Sequence, residues 1–335
     1  MNEDISNAYQ RKKILITGGA GAIGSNLTLK FSELGVEKVI VLDDLSSSCR
    51  WNIPDLPDVS FIEGDLLDAG VLGRAFAESP DYVFHLAAFF ANQNSVDHPE
   101  RDLMVNGMGT LKLLQAARQA EVEKFIYASS GCSIYGSSAP MPLKEEFVSL
   151  YLSSPYQITK MLGELYCNFF NLHYGVKTVK PRFFNSYGPG EVPGCYRNVI
   201  PNFIYWALLG QALPITGTGE ETRDFTYVGD IVSGLLSAGV VEEAVGEGIN
   251  LASGEEVRII DLANLINELT GNKAGIRYIP RRRWDTKPRL LASIEKAADL
   301  LGYTPGMSFR EGIRKNLAWF RENWEAIEAA ADFRK

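Results

Sequence analysis

Six short, almost wholly apolar runs punctuate the first half of the chain: KKILITG, KVIVLDD, VSFIEG, DYVFHLAA, KFIYASS and KTVKPRFF. Between them lie stretches with helical spacing, such as SNLTLKFSELG and NGMGTLKLLQAARQAEV. A strand that alternates apolar and polar side chains has one wet face, whereas a strand that is apolar throughout is covered on both. Strands of the second kind, separated by helices, predict a parallel sheet with helices on either side, the doubly wound α/β class. From about Pro181 the pattern changes. Turn residues become frequent in NSYGPGEVPGCYRN, GQALPITGTGEETRD and YIPRRRWDTKPR, with helical segments IIDLANLINELTG and FREGIRKNLAWFRENW among them. The expected layout is a sheet domain over 1–180 and a smaller C-terminal α/β domain over 181–335, with some exchange of elements and a ligand cleft between the two.

Composition narrows the partners. The 335 residues are 46% hydrophobic and 22% charged, ordinary for a globular protein with a self-sufficient core. No apolar run approaches the ~20 residues of a membrane helix. The start, MNEDISNAYQRKK, is polar, reads as a short tail before the first strand, and lacks the apolar stretch of a secretory signal. A net charge of −8 argues against a general nucleic-acid binder. Cys49, Cys132, Cys167 and Cys195, with His85, His98 and His173, follow no metal-ligand spacing, so no metal site is expected and the thiols suit a reducing cytoplasm.

ILITGGAGAIGSNL reads as a strand, a glycine turn and a helix start. Gly18 permits a tight turn, Gly21 lets the backbone approach a pyrophosphate, and Gly24 lets the helix pack close to the strand. The helix N-terminus then offers N–H groups and partial positive charge to phosphates. Asp43, at the end of VIVLDD, stands where an acid would bind the ribose hydroxyls and repel a 2′-phosphate. These features predict a Rossmann-type site for NAD rather than NADP. Asp65, after the next strand, is placed for the adenine edge.

SSPYQITKMLGE holds Tyr156 and Lys160 one helical turn apart, on one face. A lysine ammonium beside a phenol favours the phenolate and lowers the tyrosine pKa, making a useful base for a sugar hydroxyl. A second match, Tyr9 and Lys13, lies in the N-terminal tail, where no site is expected.

Together, TGGAGAIG, HLAA, YASSGCSIYG, SPYQITK, RFFNSYGPG and TRDFTYVGDI resemble the extended short-chain dehydrogenases that act on nucleotide sugars, most of all the UDP-glucose 4-epimerases. The resemblance runs from about Lys13 to beyond Tyr303. It implies that Tyr156 takes the sugar O4 proton while hydride passes from C4 to NAD and back to the other face of a 4-keto sugar. Lys160 would hold the nicotinamide ribose. Ala22, Ile23, Leu66, Leu86, Ala87 and Ala88 join the cofactor-binding set.

The resemblance also implies a Ser or Thr beside the tyrosine, in FIYASSGCSIYGSS. Counting from the strand end gives Ser130; counting back from Tyr135 gives Gly131, which has no side chain. Strand ends are fixed by pairing while loops absorb insertions, so Ser130 is the expected residue and Ser133 the second choice. Dehydratases and decarboxylases of this kind carry carboxylates next, where this chain has Gly131 and Cys132. That favours 4-epimerisation over those two reactions. Two further readings stay open on the sequence: a 3,5-epimerase using Cys132 as acid or base, and a binding-only regulator suggested by Gly131.

On the substrate side the resemblance implies Asn185 at the diphosphate, Asn198 and Val199 at a binding-helix start, Arg223 and Arg282 gripping the diphosphate, and Phe225 on the base. Arg289 replaces an apolar or aromatic residue near the sugar, which would suit a sugar carboxylate. GTLKLLQAARQA and the Tyr156 helix resemble the pair that forms a homodimer interface.

Overall fold

A computed structural model describes residues 3–281 and 287–334. All six apolar runs are strands: β1 (Lys13–Thr17), β2 (Lys38–Asp43), β3 (Val59–Glu63), β4 (Tyr82–His85), β5 (Lys124–Tyr127) and, after the short β6 (Ser129–Ser130), β7 (Thr178–Phe183). They form one parallel sheet in the order Gly248–Leu251, β7, β5, β4, β1, β2, β3, with β6 pairing β7. The order reverses between β1 and β4. Clefts outside the C-terminal strand ends at such a reversal are where doubly wound sheets bind ligands.

The strand residues divide by parity. Ile14, Ile16, Val39, Val41 and Phe84 face helices Ala22–Glu33 and Val228–Val240, whose Leu27, Phe31, Ile231 and Leu235 share that core. Leu15, Ile40, Leu42, Val83 and Phe125 face Ala69–Ala77, Gly109–Gln119 and Pro155–Tyr174 on the other side. Both faces are dry, which is why the strands read as unbroken apolar runs.

The expected boundary at 180/181 falls inside β7, because that strand is a central member of the sheet. The later strand Gly248–Leu251 and helix Val228–Val240 return to the first layer. What remains of the C-terminal part is a separate core around Phe203, Leu213, Ile215, Leu262, Ile266 and Phe320. There, helices Val199–Leu208, Ile259–Thr270 and Phe309–Glu322 surround a parallel pair, Leu213–Thr216 with Ile276–Ile279.

Two local expectations are corrected. The N-terminal tail contains a helix, Glu3–Tyr9, ending in a fully buried tyrosine. The Tyr9 hydroxyl donates to the Leu236 carbonyl at 2.7 Å, and its ring meets Phe31 and Tyr82 edge-on. The second Tyr-x-x-x-Lys match is therefore a core anchor. The serine segment is also not an open loop: after β6 it turns at once into a single helical turn, Gly131–Ile134.

Candidate active site

The cofactor cradle begins at the C-terminal end of β1. Gly18 has φ +71°, and a Cβ there would lie 2.6 Å from the Ala87 amide nitrogen. A Cβ at Gly24 would run into the Gly18 carbonyl oxygen. Any other residue would thus push the turn away from the neighbouring strand or the helix away from the turn. Gly21 caps helix Ala22–Glu33 with no side-chain acceptor, and the first turn carries no acid. The N–H groups there remain available to an anion.

Asp43 closes this cradle. One carboxylate oxygen accepts from the Ala20 amide at 3.0 Å, the other from the Leu45 amide and the Ser48 hydroxyl at 2.9 and 2.7 Å. Gly18, Gly21, Ala22, Ile23, Gly24, Asp43, Asp65, Leu66, Leu86, Ala87 and Ala88 all line a single cavity that continues to Ser130, Tyr156 and Lys160. The residues present therefore fit an extended dinucleotide. At the Asp65 end stands Arg101, which donates to that carboxylate at 3.0 Å and which the sequence did not single out.

Helix Pro155–Tyr174 delivers the acid–base pair. Ser154 caps it by accepting from the Gln157 amide, Pro155 opens it, and Gly175 ends it in the left-handed region. The Tyr156 amide donates to Ser95 Oγ at 3.0 Å, fixing the first turn. Lys160 Nζ donates to the Ala128 carbonyl at 2.8 Å and lies 5.6 Å from the Tyr156 ring centre.

Their electrostatics depart from the expectation of a lowered phenol pKa. Burial pushes the Tyr156 phenol up, with the thiol of Cys132 and the carboxylate of Asp102 adding to the rise. Burial also brings Lys160 down to about 8, against a partial restoring pull from Asp102. Desolvation disfavours both charged forms and is the leading cause of both shifts. His85, between Thr17 and Thr110 at 2.7 and 2.8 Å, is held neutral by burial, which lowers its pKa to about 3. It is a structural residue behind the site. Among the described residues no cluster of His, Cys, Asp or Glu could hold a metal ion.

The serine turn rests on a buried ion pair. Glu164 and Arg182 meet through two hydrogen bonds of 2.9 and 2.8 Å, and Ser129 donates to the same carboxylate. Arg182 also reaches the Tyr135 hydroxyl at 2.9 Å. Ser130 and Ser133 share a 2.9 Å hydrogen bond and both line the cofactor cavity. Ser130 is 9% exposed against 1% for Ser133, so Ser130 is the one presented to the cleft. Gly131 has a packing reason: a Cβ there would collide with the buried ring of Phe184. Burial raises the Cys132 thiol, which keeps it protonated.

A second cavity adjoins the first, with Cys132, Asn185, Arg197 and Asn198 lining both. Val199, Arg223 and Phe225 line the second one. Asn198 caps helix Val199–Leu208 by position and donates to Glu191 at 2.9 Å. The Asn185 amide is tied to the Asp224 carbonyl at 3.0 Å. Phe225 lines the cavity from an aromatic cluster, stacked on Phe309 at 5.6 Å. Arg282 lies outside the described residues. Arg289 is contrary to expectation: it lines neither cavity and forms a two-point pair with Glu256.

Two cations here were not singled out from sequence. Arg197 sits where the cavities meet, near Glu191, whose carboxyl burial raises to about 7. Its place directly before Asn198 in RNVIPNF was the available signal. Lys287 lines the second cavity, and no pattern marks it in the chain.

Residues 14–252 match the model of the NAD dependent epimerase/dehydratase family. The chain belongs to that family. It is 33% identical to the UDP-glucose 4-epimerase of Mycolicibacterium smegmatis over 312 residues, 92% of this chain and 98% of that one. Among solved structures, an epimerase of Methanothermobacter thermautotrophicus superposes with a TM-score of 0.97 at 57% identity, covering 98% of each chain. The Bordetella bronchiseptica enzyme WbmF, in complex with NAD+ and UDP, gives 0.85 at 37% identity over 96% of each chain. The protein is thus an NAD-dependent epimerase/dehydratase-family member, and its glycine cradle and Asp43 line a cavity that a second one adjoins.

Proposed function

We propose that this protein interconverts a UDP-sugar with its C4 epimer through a transient 4-keto sugar. The observation that carries the reading is the continuity of one cavity from the glycine cradle to Tyr156, Lys160 and Ser130, with a second cavity joined to it at Cys132 and Asn185. The glycine cradle and Asp43 would hold NAD, which would supply a hydride acceptor at C4 and the same hydride for return. Tyr156 takes the proton from O4, and Ser130 holds that oxygen. Lys160, an ammonium below about pH 8, would anchor the nicotinamide ribose beside the Tyr156 ring. Asp43 accepts from the adenosine ribose and disfavours a 2′-phosphate. Asn185, Asn198, Val199, Arg223, Phe225 and Arg282 form the substrate set, with guanidinium forks suited to a diphosphate in an acidic protein.

Three features support 4-epimerisation. Gly131 and Cys132 leave no carboxylate beside the serine, so C5 deprotonation has no base there. The raised Cys132 thiol speaks against a 3,5-epimerase. Gly131 is explained by Phe184 rather than by loss of activity.

We place the protein in the cytoplasm on the strength of its free cysteines; among the described residues no helix is long and apolar enough to cross a membrane. A homodimer is supported by an exposed apolar face: Leu103, Met104 and Met108 on one segment, Ile158, Leu165, Phe169 and Leu172 on the Tyr156 helix.

Proton NMR of the protein with NAD and UDP-glucose, UDP-N-acetylglucosamine or UDP-glucuronate tests the reading. A new anomeric signal with C6 intact is expected in at least one tube. Loss of C6, or an accumulating dehydrated 4-keto product, would move the assignment to decarboxylation or dehydration.

A further inference from the structure

Lys287 has no part in the machinery above, yet its amine is placed where a sugar would be read. Its Nζ donates to the carbonyl of Cys132 at 2.6 Å. Cys132 lies two residues past Ser130 and lines both cavities. The ammonium is therefore tethered on the wall of the second cavity, beside its junction with the first. The far part of the second cavity, around Trp206, Pro214 and Thr216, is where the nucleotide has room. An ammonium has three donors, and the Cys132 carbonyl takes one of them. Among the described residues no carboxylate lies within 4.0 Å of this nitrogen and no second acceptor satisfies it.

Among the described residues, after burial, the Cys132 sulfur partly restores the lysine pKa and the Arg223 guanidinium lowers it. The Arg223 guanidinium donates to the Lys287 carbonyl at 3.2 Å, and its charge, after burial, helps lower the lysine to about 8. A half-buried cation next to another cation is relieved by an anion. For the diphosphate there are Arg223 on the second cavity and Arg197 where the two cavities meet. Arg289, the sequence candidate for a sugar carboxylate, is turned away onto Glu256.

We propose that Lys287 receives a carboxylate at C6 of the sugar, so that the preferred substrate is a UDP-hexuronate rather than a neutral UDP-hexose. The inference rests on the 4-epimerase reading and deepens it. Charge-assisted hydrogen bonds are the strong ones, and a carboxylate here would accept from the two remaining donors.

The test is kcat/KM for UDP-glucuronate and for UDP-glucose, with NAD, in the unmodified protein and in Lys287→Met and Lys287→Arg. The unmodified protein is expected to favour the uronate. Lys287→Met should cut the uronate-to-hexose ratio by about tenfold to a hundredfold, the range for loss of a hydrogen-bonded charge. Lys287→Arg should restore part of that ratio. Disturbance of the serine turn would lower both substrates alike and leave the ratio in place. An unchanged ratio in Lys287→Met would therefore overturn the proposal and make Lys287 a diphosphate or structural contact. Turnover of UDP-glucose with none of UDP-glucuronate would also overturn it while leaving 4-epimerisation standing. Failure of both with turnover of UDP-N-acetylglucosamine would overturn this inference and leave 4-epimerisation standing, whereas failure of all three would remove the epimerase reading itself.

Discussion

Ser130 Oγ and Ser133 Oγ lie 2.9 Å apart, at the two ends of one helical turn. Both line the cavity, and Ser133, the more buried, is placed to orient the hydroxyl of Ser130. Ser130→Ala should lower kcat about a hundredfold, as for loss of one hydrogen bond to the reacting oxygen. Ser133→Ala should cost less, about tenfold or under, because Ser130 remains. Steady-state kinetics of the two variants checks the order; the reverse order would make Ser133 the substrate contact.

Gly131 holds its place through Phe184. Gly131→Ala forces a Cβ into that ring, and overpacking of this kind costs about 1–3 kcal/mol. Both the urea midpoint and kcat should fall, since the serine turn must shift. Phe184→Leu in the Gly131→Ala background should recover part of each. A fully active, fully stable Gly131→Ala would mean the glycine has no packing role.

Lys160 is expected to oppose stability while serving activity. Its folded pKa of about 8 lies below the ordinary 10.5, so the unfolded chain binds the proton more tightly. At pH 7 that difference amounts to roughly 3 kcal/mol against folding, offset by about 1 kcal/mol from the bond to Ala128. Lys160→Met should be inactive and more stable at pH 7. The penalty is full below pH 8 and fades as pH rises toward 10.5, so the stability gap between the two proteins should close over that window. Urea unfolding at pH 7 and at about pH 10 reads it.

Glu164 and Arg182 meet behind the serine turn, each side chain 6% exposed. Removing one partner of a buried pair leaves the other charge uncompensated, at about 3–5 kcal/mol. Glu164→Ala should lose that much stability in urea titration. Because Ser129 loses its acceptor too, kcat should drop even where the protein remains folded.

The parallel sheet was legible because both its faces are dry, which leaves the strands as unbroken apolar runs. The glycine cradle and the Tyr156 helix were legible because backbone approach and helical spacing leave fixed intervals. Counting from a strand end that pairing holds in place led to Ser130, which lines the cavity together with Ser133. Other features leave no such trace. The Glu3–Tyr9 helix is short and mostly polar, with only Tyr9 fully buried and Ile5 packed against the same core. The phenol pKa depends on desolvation, which spacing does not encode. Lys287 reaches Cys132 across 155 positions of sequence, and nothing near either residue announces the contact.

The central claim is that hydride leaves C4 and returns to C4 of the same sugar. The most direct test uses UDP-glucose and UDP-glucuronate deuterated at C4, incubated with the protein and NAD in ordinary water, with the product read by NMR and mass. Retention of deuterium at C4 of the epimer is predicted, because hydride held on the cofactor does not exchange with solvent. Loss of the label to water would contradict the account, pointing instead to proton abstraction at carbon.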